Sequence, residues 1–340
     1  MTIRIPGLTD VHTHLRVPGG EHKEDFSSGT LAALAGGFTA VLAMPNTNPP
    51  LVTADLLRRV QQQADAESRC DVYLYAGASP AHTAELPALG REAIALKVYL
   101  NETYGPLRVS DLHTLLACFC DWPAAKPIAL HAEGPGVAVS IGLAAAFGRS
   151  VHICHVSRKE EIALIAGAKA RGLPVTCEVT PHHLFLTQAD AARLGPLGDM
   201  RPPLAEQSDV DALWAHLHTT IDCVATDHAP HTLAEKRGEN SPPGVPGLET
   251  ALPLLLTAVA EGRLTLERLV TLLAHNPRRI FRLPAQPDTW VEVDPAASYP
   301  LSNEGLQTKC GWTPFAGMMV RGRVQRVVLR GKTVFDSFKP

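Results

Sequence analysis

The sequence predicts an α/β fold in which eight parallel strands alternate with helices and close into a (β/α)8 TIM barrel. Two observations favour this fold: short apolar runs alternate with amphipathic stretches, and chemically reactive side chains recur where the apolar runs end. The 340-residue chain, 45% hydrophobic, is long enough to bury a sizeable core. An open, doubly wound parallel sheet is the alternative that the alternation also allows.

The strands and helices of the barrel are predicted from these apolar and amphipathic runs. The expected strands cover residues 8–14, 39–44, 72–77, 95–100, 128–131, 151–156, 175–179 and 221–226. The expected helices cover residues 27–35, 54–66, 109–120, 136–146, 159–170 and 209–218. Ser157 is the expected N-cap of the fifth helix, with Glu160 completing a capping box, and Gly172 and Pro174 end it.

The pattern changes after residue 227. A long loop is followed by expected helices at 248–260 and 266–274, and short strands such as 323–329 and 333–335 return after residue 290. We therefore predict a barrel domain at residues 8–285 and a small β annex formed by residues 1–7 and 286–340. Because a strand begins almost at the first residue, we expect the chain to be a domain of a longer polypeptide.

Composition excludes several classes of partner. The formal net charge of −3 argues against nucleic acid or an anionic membrane, so an anionic substrate needs a local basic site. The seven cysteines lack the spacing of a disulfide scaffold and no signal peptide is present, which predicts a cytoplasmic protein. No apolar run reaches the ~18 residues of a membrane span.

The most informative motif is the pair His12 and His14, which follows Asp10 in the first expected strand. Residues two apart on a strand project to the same side, so the two imidazoles can bind one metal ion. A His-x-His in isolation is more often a solvated turn. Here, however, side chains that can bind a metal recur at the other strand ends, namely at Lys97, His131, Cys154, His155, Glu178 and Asp227. In a parallel barrel these ends meet on one face.

Lys97 lies within the apolar run 95–100. A strand-end lysine ordinarily extends to water, whereas burial of an unpaired ammonium costs several kcal/mol. Among four histidines and an aspartate, a lysine carbamylated by carbon dioxide is the better interpretation, since it offers a carboxylate that can bridge two metal ions.

Asp227 is predicted to bind metal and to transfer protons, although a lone aspartate at this position could simply cap the following loop. Cys154 and Glu178 are equally consistent with packing and with an additional metal site. The expected readers of an anionic or amide substrate are Arg16, Asn46, Arg201 and His231.

These motifs resemble those of the dihydroorotases of the amidohydrolase superfamily, above all the dihydroorotase domain of the animal multifunctional pyrimidine-synthesis proteins. The matching segments are Asp-Val-His-Thr-His-Leu-Arg (10–16), Met-Pro-Asn-Thr (44–47), Leu-Lys-Val-Tyr-Leu-Asn-Glu-Thr (96–103), His-Ala-Glu (131–133), His-Ile-Cys-His-Val (152–156), Glu-Val-Thr-Pro-His-His (178–183), Asp-His-Ala-Pro-His (227–231), Pro-Gly-Leu-Glu-Thr (246–250) and Asn-Pro-Arg-Arg-Ile-Phe (276–281). They occur in family order over nearly the whole chain.

The resemblance implies a cluster of zinc ions. One zinc would be held by His12, His14, carbamylated Lys97 and Asp227, and the second by Lys97, His131 and His155. A third zinc would be shared through His131 and held by Cys154 and Glu178.

The resemblance also assigns the substrate contacts. Arg16, Asn46 and His231 would bind the α-carboxylate, and Arg201 with the backbone of Pro243 and Gly244 would contact the ureido end. Thr103 would lie on a loop that closes over the site, followed by Tyr104 where the family has phenylalanine.

The implied reaction is reversible cyclisation of N-carbamoyl-L-aspartate to L-dihydroorotate in pyrimidine biosynthesis, through a hydroxide that bridges zinc ions and with Asp227 as general acid and base. The implied partners are a second copy of the chain and fused carbamoyl phosphate synthetase and aspartate transcarbamoylase domains. The alternatives are a hydantoinase or allantoinase, whose substrates lack the carboxylate, and a non-catalytic scaffold, which would lose metal ligands.

Overall fold

The computed structural model describes residues 2–338. Its strands are β1 (Ile3–Pro6), β2 (Leu8–Thr13), β3 (Phe38–Ala43), β4 (Asp71–Leu74), β5 (Ala76–Gly77), β6 (Leu96–Tyr99), β7 (Ile128–His131), β8 (Val151–Ile153), β9 (Val175–Val179), β10 (Cys223–Val224), β11 (Trp290–Pro300), β12 (Met319–Leu329) and β13 (Lys332–Asp336).

The helices are α1 (Phe26–Ala35), α2 (Ala54–Glu67), α3 (Leu86–Glu92), α4 (Leu112–Asp121), α5 (Pro135–Phe147), α6 (Lys159–Ala170), α7 (Pro181–Phe185), α8 (Gln188–Leu194), α9 (Gln207–His216), α10 (Leu233–Lys236), α11 (Leu248–Ala260), α12 (Leu266–Val270) and α13 (Asn276–Phe281). None of the helices within residues 2–338 combines the length and apolarity that crossing a membrane requires.

Parallel strands form the centre of the molecule, which confirms the predicted α/β class. Strands β2, β3 and β4 make one parallel sheet, and β5 to β10 make a second in which chain neighbours pair. The sheets approach each other where Thr13 bridges His228 and His14 N donates to His228 O at 2.7 Å. Within residues 2–338 strand pairing does not join them into one closed ring. Because neighbouring strands run parallel, their carboxyl ends lie at one edge.

The space enclosed by the parallel strands is packed with side chains. Tyr75 is buried there and donates from its hydroxyl to Val11 O at 2.9 Å, while its ring meets Phe281 edge-on at 6.0 Å between centroids. Leu42 and Ala129 belong to the same apolar cluster. This packing fills the interior beneath the carboxyl ends of the strands, so the strand ends are where the fold can present polar groups.

The terminal segments form a four-stranded antiparallel sheet in the order β1-β11-β12-β13. Ile5 pairs with Val291, which joins the beginning of the chain to its C-terminal part. This sheet packs on the helical layer, since Arg321 N donates to Thr257 Oγ1 of α11 at 2.7 Å. The division into a barrel at 8–285 and an annex stays a prediction.

Several predicted boundaries are wrong where the chain bends near the strand ends. The strand expected at 221–226 is only Cys223–Val224, and that expected at 151–156 ends at Ile153. The helix expected at 266–274 becomes α12 followed by a π-helical turn, Thr271–His275. The N-cap of α6 is Arg158, whose N–H donates to Glu161 at 3.1 Å, so the predicted capping box is displaced by one residue.

Candidate active site

Two histidines from the end of β2 are adjacent in space. The ring centroids of His12 and His14 lie 5.4 Å apart, and both side chains are buried. Asp10 buttresses them, because its carboxylate accepts from His12 N at 3.1 Å and from Thr226 N at 3.1 Å. Burial raises the pKa of Asp10 to about 7. The alternation expected of a strand therefore brings both imidazoles to one place.

Asp227 completes this side of the site. Its Oδ1 lies 3.1 Å from His14 Nε2 and 3.2 Å from His12 Nε2, although the residues are more than 200 positions apart in the chain. Burial alone would raise the pKa of Asp227, but the charge of His12 and the hydrogen bond from His14 outweigh it and hold the pKa well below its usual range. Asp227 is therefore an ionised carboxylate in a cluster of imidazoles.

The backbone is strained at three of these positions. Arg16, His155 and Asp227 have φ angles of 65°, 34° and 47°, in the left-handed region that non-glycine residues seldom adopt. Each follows the end of a parallel strand. The turn redirects the chain so that the side chain enters the site, and such strain is typical of functional sites.

Lys97 is fully buried on β6. Its Nζ donates to Cys154 Sγ at 2.9 Å and lies 5.2 Å from the centre of the Tyr99 ring. Among the residues that the structure describes, no carboxylate forms an ion pair with this ammonium. A lysine that extends to water is thereby excluded, and the group lies beside side chains of the metal-ligand type.

His131 and His155 form the other side of the cluster. Their ring centroids lie 4.5 Å apart, and His155 lies 5.2 Å from the ring of His12. Burial is the main cause that lowers the pKa of both His131 and His155, so both imidazoles are neutral at physiological pH. Neutral imidazole is the form that binds a metal ion.

Glu178 and Cys154 lie close to His12, and Glu178 contacts the Nδ1 edge of its ring. Glu178 Oε1 is 2.5 Å from His12 Nδ1, and its Oε2 is 3.0 Å from His152 Nε2. The ligand atoms of His12, Cys154 and Glu178 lie within 4.8 Å of one another. The family resemblance groups His131 with Cys154 and Glu178, whereas in the structure His12 lies within 4.8 Å of both, because the Nδ1 edge of His12 faces Glu178 on β9.

The chemistry of these donors fits zinc. The ligand atoms of His12, His155 and Asp227 also lie within 4.8 Å of one another, and the set combines imidazole nitrogen with carboxylate oxygen. Nδ1 of His155 is buried without a hydrogen-bond partner within residues 2–338, which is costly unless another ligand occupies it. Two overlapping groups of donors therefore share His12.

A cavity beside this cluster contains the expected substrate contacts. The structure brings together the following residues around it: His14, Arg16, Asn46, Thr103, Tyr104, Arg201, Asp227, Pro243 and Gly244. An adjoining cavity of about 470 Å³ is lined by His14, Arg16, Asn46 and Tyr104 together with Lys23 and Glu235. Residues from six separate parts of the chain thus line the first cavity.

Arg16 forms the basic side of the cavity, and the fully buried His231 contacts Arg16 without lining the cavity. Arg16 Nε donates to Pro230 O at 3.0 Å, and its Nη2 lies 3.0 Å from His231 Nε2. Asn46 Oδ1 is 2.8 Å from His14 Nδ1, and its Nδ2 donates to the carbonyl oxygen of Tyr104 at 2.9 Å. A guanidinium and an amide within reach of the metal-type donors can bind a carboxylate there.

Three residues of the site were missed by sequence reasoning. Lys23 contacts His231, His152 contacts Glu178, and Glu133 lies 3.1 Å from His131 Nε2. Glu133 stands within the segment 131–133 and His152 within 152–156, so their positions in those motifs could have indicated both. No pattern in the sequence points to Lys23, which reaches the site through a turn.

Comparison with known proteins gives the same picture over nearly the whole chain. A family profile described as "Dihydro-orotase-like" matches residues 2–97. The chain is 52% identical over 334 residues to "Multifunctional protein CAD" of Squalus acanthias, covering 98% of this chain and 15% of that protein. It is 36% identical over 374 aligned positions to the "Dihydroorotase" of Staphylococcus epidermidis, covering 98% of this chain and 88% of that protein.

Two solved structures share the fold. The L-hydantoinase (dihydropyrimidinase) of Arthrobacter aurescens superposes with a TM-score of 0.94 at 25% identity, covering 98% of this chain and 86% of that chain. The structure titled "Inactive dihydroorotase-like domain of Chaetomium thermophilum CAD-like multifunctional protein" superposes with a TM-score of 0.84 at 30% identity, covering 100% and 98%.

Fold, donor cluster and relatives together define a cyclic amidohydrolase, a class whose members are metal-dependent. Within that class the chain belongs to the dihydroorotase family, which confirms the resemblance drawn from the motifs. It spans only 15% of the length of the multifunctional relatives from Squalus acanthias and Dictyostelium discoideum.

Proposed function

We propose that the chain is a zinc-dependent dihydroorotase that interconverts N-carbamoyl-L-aspartate and L-dihydroorotate on a (β/α)8 barrel. One observation carries this proposal: a group suited to a carboxylate, Arg16 with Asn46 and His231, adjoins the metal-type cluster at Asp227. The substrate combines these two needs, since it carries a carboxylate beside the amide that is made or broken. Membership of the dihydroorotase family supports the same reaction.

The cluster would hold two or more zinc ions. His12, His14, Asp227 and a carbamylated Lys97 form the first group, and Lys97 with His131 and His155 forms the second. Cys154 and Glu178, together with the nearby His12, would hold a third ion. When bound, zinc polarises a carbonyl oxygen and lowers the pKa of water from about 15.7 to about 7.

Asp227 supplies the proton transfer. Its carboxylate is ionised, so in the hydrolytic direction it accepts a proton from the attacking water and passes it to the departing ring nitrogen. In the biosynthetic direction the same proton moves back and one water leaves. The open substrate is a dianion and the ring a monoanion, so closure consumes one proton.

The remaining side chains orient the substrate. Arg16 and His231 would hold the α-carboxylate, while Arg201, Pro243 and Gly244 would contact the ureido end. Thr103 and Tyr104 would cover the cavity, and the contact from Asn46 to the carbonyl of Tyr104 ties that segment to the carboxylate side.

The test compares substrates with and without the carboxylate. We expect turnover of dihydroorotate and little turnover of dihydrouracil or hydantoin. Arg16→Met is expected to raise the KM for dihydroorotate by at least about tenfold, because a charge-assisted hydrogen bond is lost. Preferred turnover of hydantoin would instead support a hydantoinase function. The Arthrobacter hydantoinase has a fold similar to that of this chain.

A non-catalytic scaffold is the second candidate function. The Chaetomium domain, which is 30% identical to this chain, is described as inactive. The presence of every expected donor in one buried cluster supports the hypothesis of a catalytically active enzyme. Zinc analysis separates the two: a scaffold would contain little zinc and would not hydrolyse dihydroorotate at any zinc concentration.

We also propose that the chain works as a domain fused to carbamoyl phosphate synthetase and aspartate transcarbamoylase domains. We further propose that it forms a homodimer through α5. Helix α5 contains no charged residue, yet Val139 is 49% exposed on it, and Leu164 of the neighbouring α6 is 44% exposed. An uncharged face suits a second copy of itself in a two-fold interface. Val139→Glu is expected to yield monomers in sedimentation experiments, whereas Glu160→Lys on α6 should not. A Val139→Glu protein that sediments like the parent would refute this surface.

A further inference from the structure

Lys23 is a buried lysine in the active-site opening that none of the motifs includes. Only 5% of its surface is exposed. A tight turn brings it there, since Gly20 N donates to Arg16 O at 2.8 Å and Lys23 N donates to Gly20 O at 2.9 Å. The Lys23 side chain therefore lies against the same cavity as Arg16.

The ammonium of Lys23 has three partners. It donates to His231 Nδ1 at 3.1 Å and to the Tyr104 hydroxyl at 3.2 Å, and it forms an ion pair with Glu235 at 3.0 Å. Burial alone would raise the pKa of Glu235, but hydrogen bonds from His22 and Lys23 lower it to about 2. An ionised Glu235 thus holds the Lys23 side chain in place.

These contacts determine which nitrogen of His231 carries the proton. Burial lowers the pKa of His231, and the neighbouring Arg16 and Lys23 lower it further, so the ring is neutral with one N–H and one lone pair. Nδ1 faces an ammonium, which can only donate. Nε2 lies 3.1 Å from Pro243 O, which can only accept. Both contacts are satisfied only if the hydrogen is on Nε2.

The same tautomer affects Arg16. Its Nη2 lies 3.0 Å from His231 Nε2, and a protonated Nε2 offers it no lone pair. The N–H of Arg16 is therefore left available to an anion in the cavity. In the opposite tautomer Nε2 would accept from Arg16 and occupy that N–H, and Nδ1–H would point at an ammonium.

We propose that Lys23 is a positioning residue that holds His231 in the Nε2–H tautomer, so that Nε2 donates to Pro243 O and the N–H of Arg16 stays available to the substrate carboxylate. The identity of the anion rests on the proposed function, whereas the tautomer does not. Lys23 acts through His231, so its loss should weaken carboxylate binding more than it slows the chemical step.

The direct test is nitrogen NMR of protein labelled with ¹⁵N-histidine, with the His231 signals identified by their loss in His231→Asn. We expect a lone-pair nitrogen at Nδ1 and a protonated Nε2 in the unsubstituted chain. In Lys23→Met the two nitrogens should move toward a mixture of tautomers. A protonated Nδ1 in the unsubstituted chain, or unchanged His231 signals in Lys23→Met, would overturn the proposal.

Kinetics gives the second readout. Lys23→Met is expected to raise the KM for dihydroorotate about tenfold while kcat changes less than about threefold. Tyr104→Phe removes only the hydroxyl partner and should leave the tautomer unchanged, and Lys332→Met on β13 controls for the loss of one positive charge. A fall in kcat at constant KM would contradict a positioning role.

These outcomes are separable from failure of the proposed function. If the chain does not turn over dihydroorotate, the proposed function is wrong, and the His231 spectrum of the resting protein still decides the tautomer. If Lys23→Met does not fold, the spectrum of the unsubstituted chain still tests the proposal, because a protonated Nδ1 there would overturn it.

Discussion

Replacement of Asp227 by asparagine tests the proposed proton transfer, because it removes the base and keeps the shape of the side chain. Asp227 Oδ1 contacts His14 Nε2 at 3.1 Å and His12 Nε2 at 3.2 Å, and an amide oxygen can occupy that position. Glu178 cannot replace the lost base, since it is engaged with His12 Nδ1 at 2.5 Å and His152 at 3.0 Å. A general base contributes about 10²- to 10⁴-fold to rate, so we expect kcat to fall by that factor.

The assay measures hydrolysis of dihydroorotate by loss of its ultraviolet absorbance, together with zinc per chain. Zinc content should stay near that of the parent protein, because the other ligands remain. Asp211→Asn, an exposed aspartate on α9, is the matched control and should be fully active. If Asp227→Asn retains more than about a tenth of the parent kcat with full zinc, the proton-transfer role is refuted.

Three further substitutions probe the loops and the electrostatics. Thr103→Ala is expected to lower kcat without loss of zinc, because the covering segment would close less well; an unchanged rate would count against that segment. Gly244 has φ +132°, and an added Cβ would lie 2.8 Å from Ala229 Cβ, so Gly244→Ala should raise the KM for dihydroorotate about tenfold, and an unaltered KM would exclude this loop from the binding site. Burial raises the pKa of Glu249 from 4.5 to about 7, so the folded state holds this proton more tightly than the unfolded state. The contribution of Glu249 to stability should therefore be greatest below about pH 4.5 and fall by about 3 kcal/mol as the pH rises from there through about 7. The parent protein should show this loss in urea unfolding relative to Glu249→Gln; equal pH dependence of the two proteins over this range would contradict the assignment.

Local patterns predicted the elements that set the site. Strand alternation correctly indicated that His12 and His14 share a side, and the apolar run around Lys97 indicated its burial. The prediction succeeded here because period-two alternation and parallel strand order depend on few contacts.

Details that depend on side-chain packing were not predictable. The edge of an imidazole that faces a given strand is not encoded in residue spacing, so the sequence could not show that His12 lies within 4.8 Å of both Glu178 and Cys154. Lys23 likewise reaches His231 only through a turn and a fixed ion pair with Glu235. The capping box of α6 moved by one residue because the glutamates at 160 and 161 are both suited to it.

The most direct test of the central claim is to detect a carbamate on Lys97, the group that would join two zinc ions. Protein incubated with ¹³C-bicarbonate and zinc should show a carbamate carbon signal in NMR and bind at least about two zinc ions per chain. Lys97→Met should lose the signal, most of the zinc and the activity together. A fully active chain with no carbamate signal, or a Lys97→Met protein that retains zinc and turnover, would contradict the account.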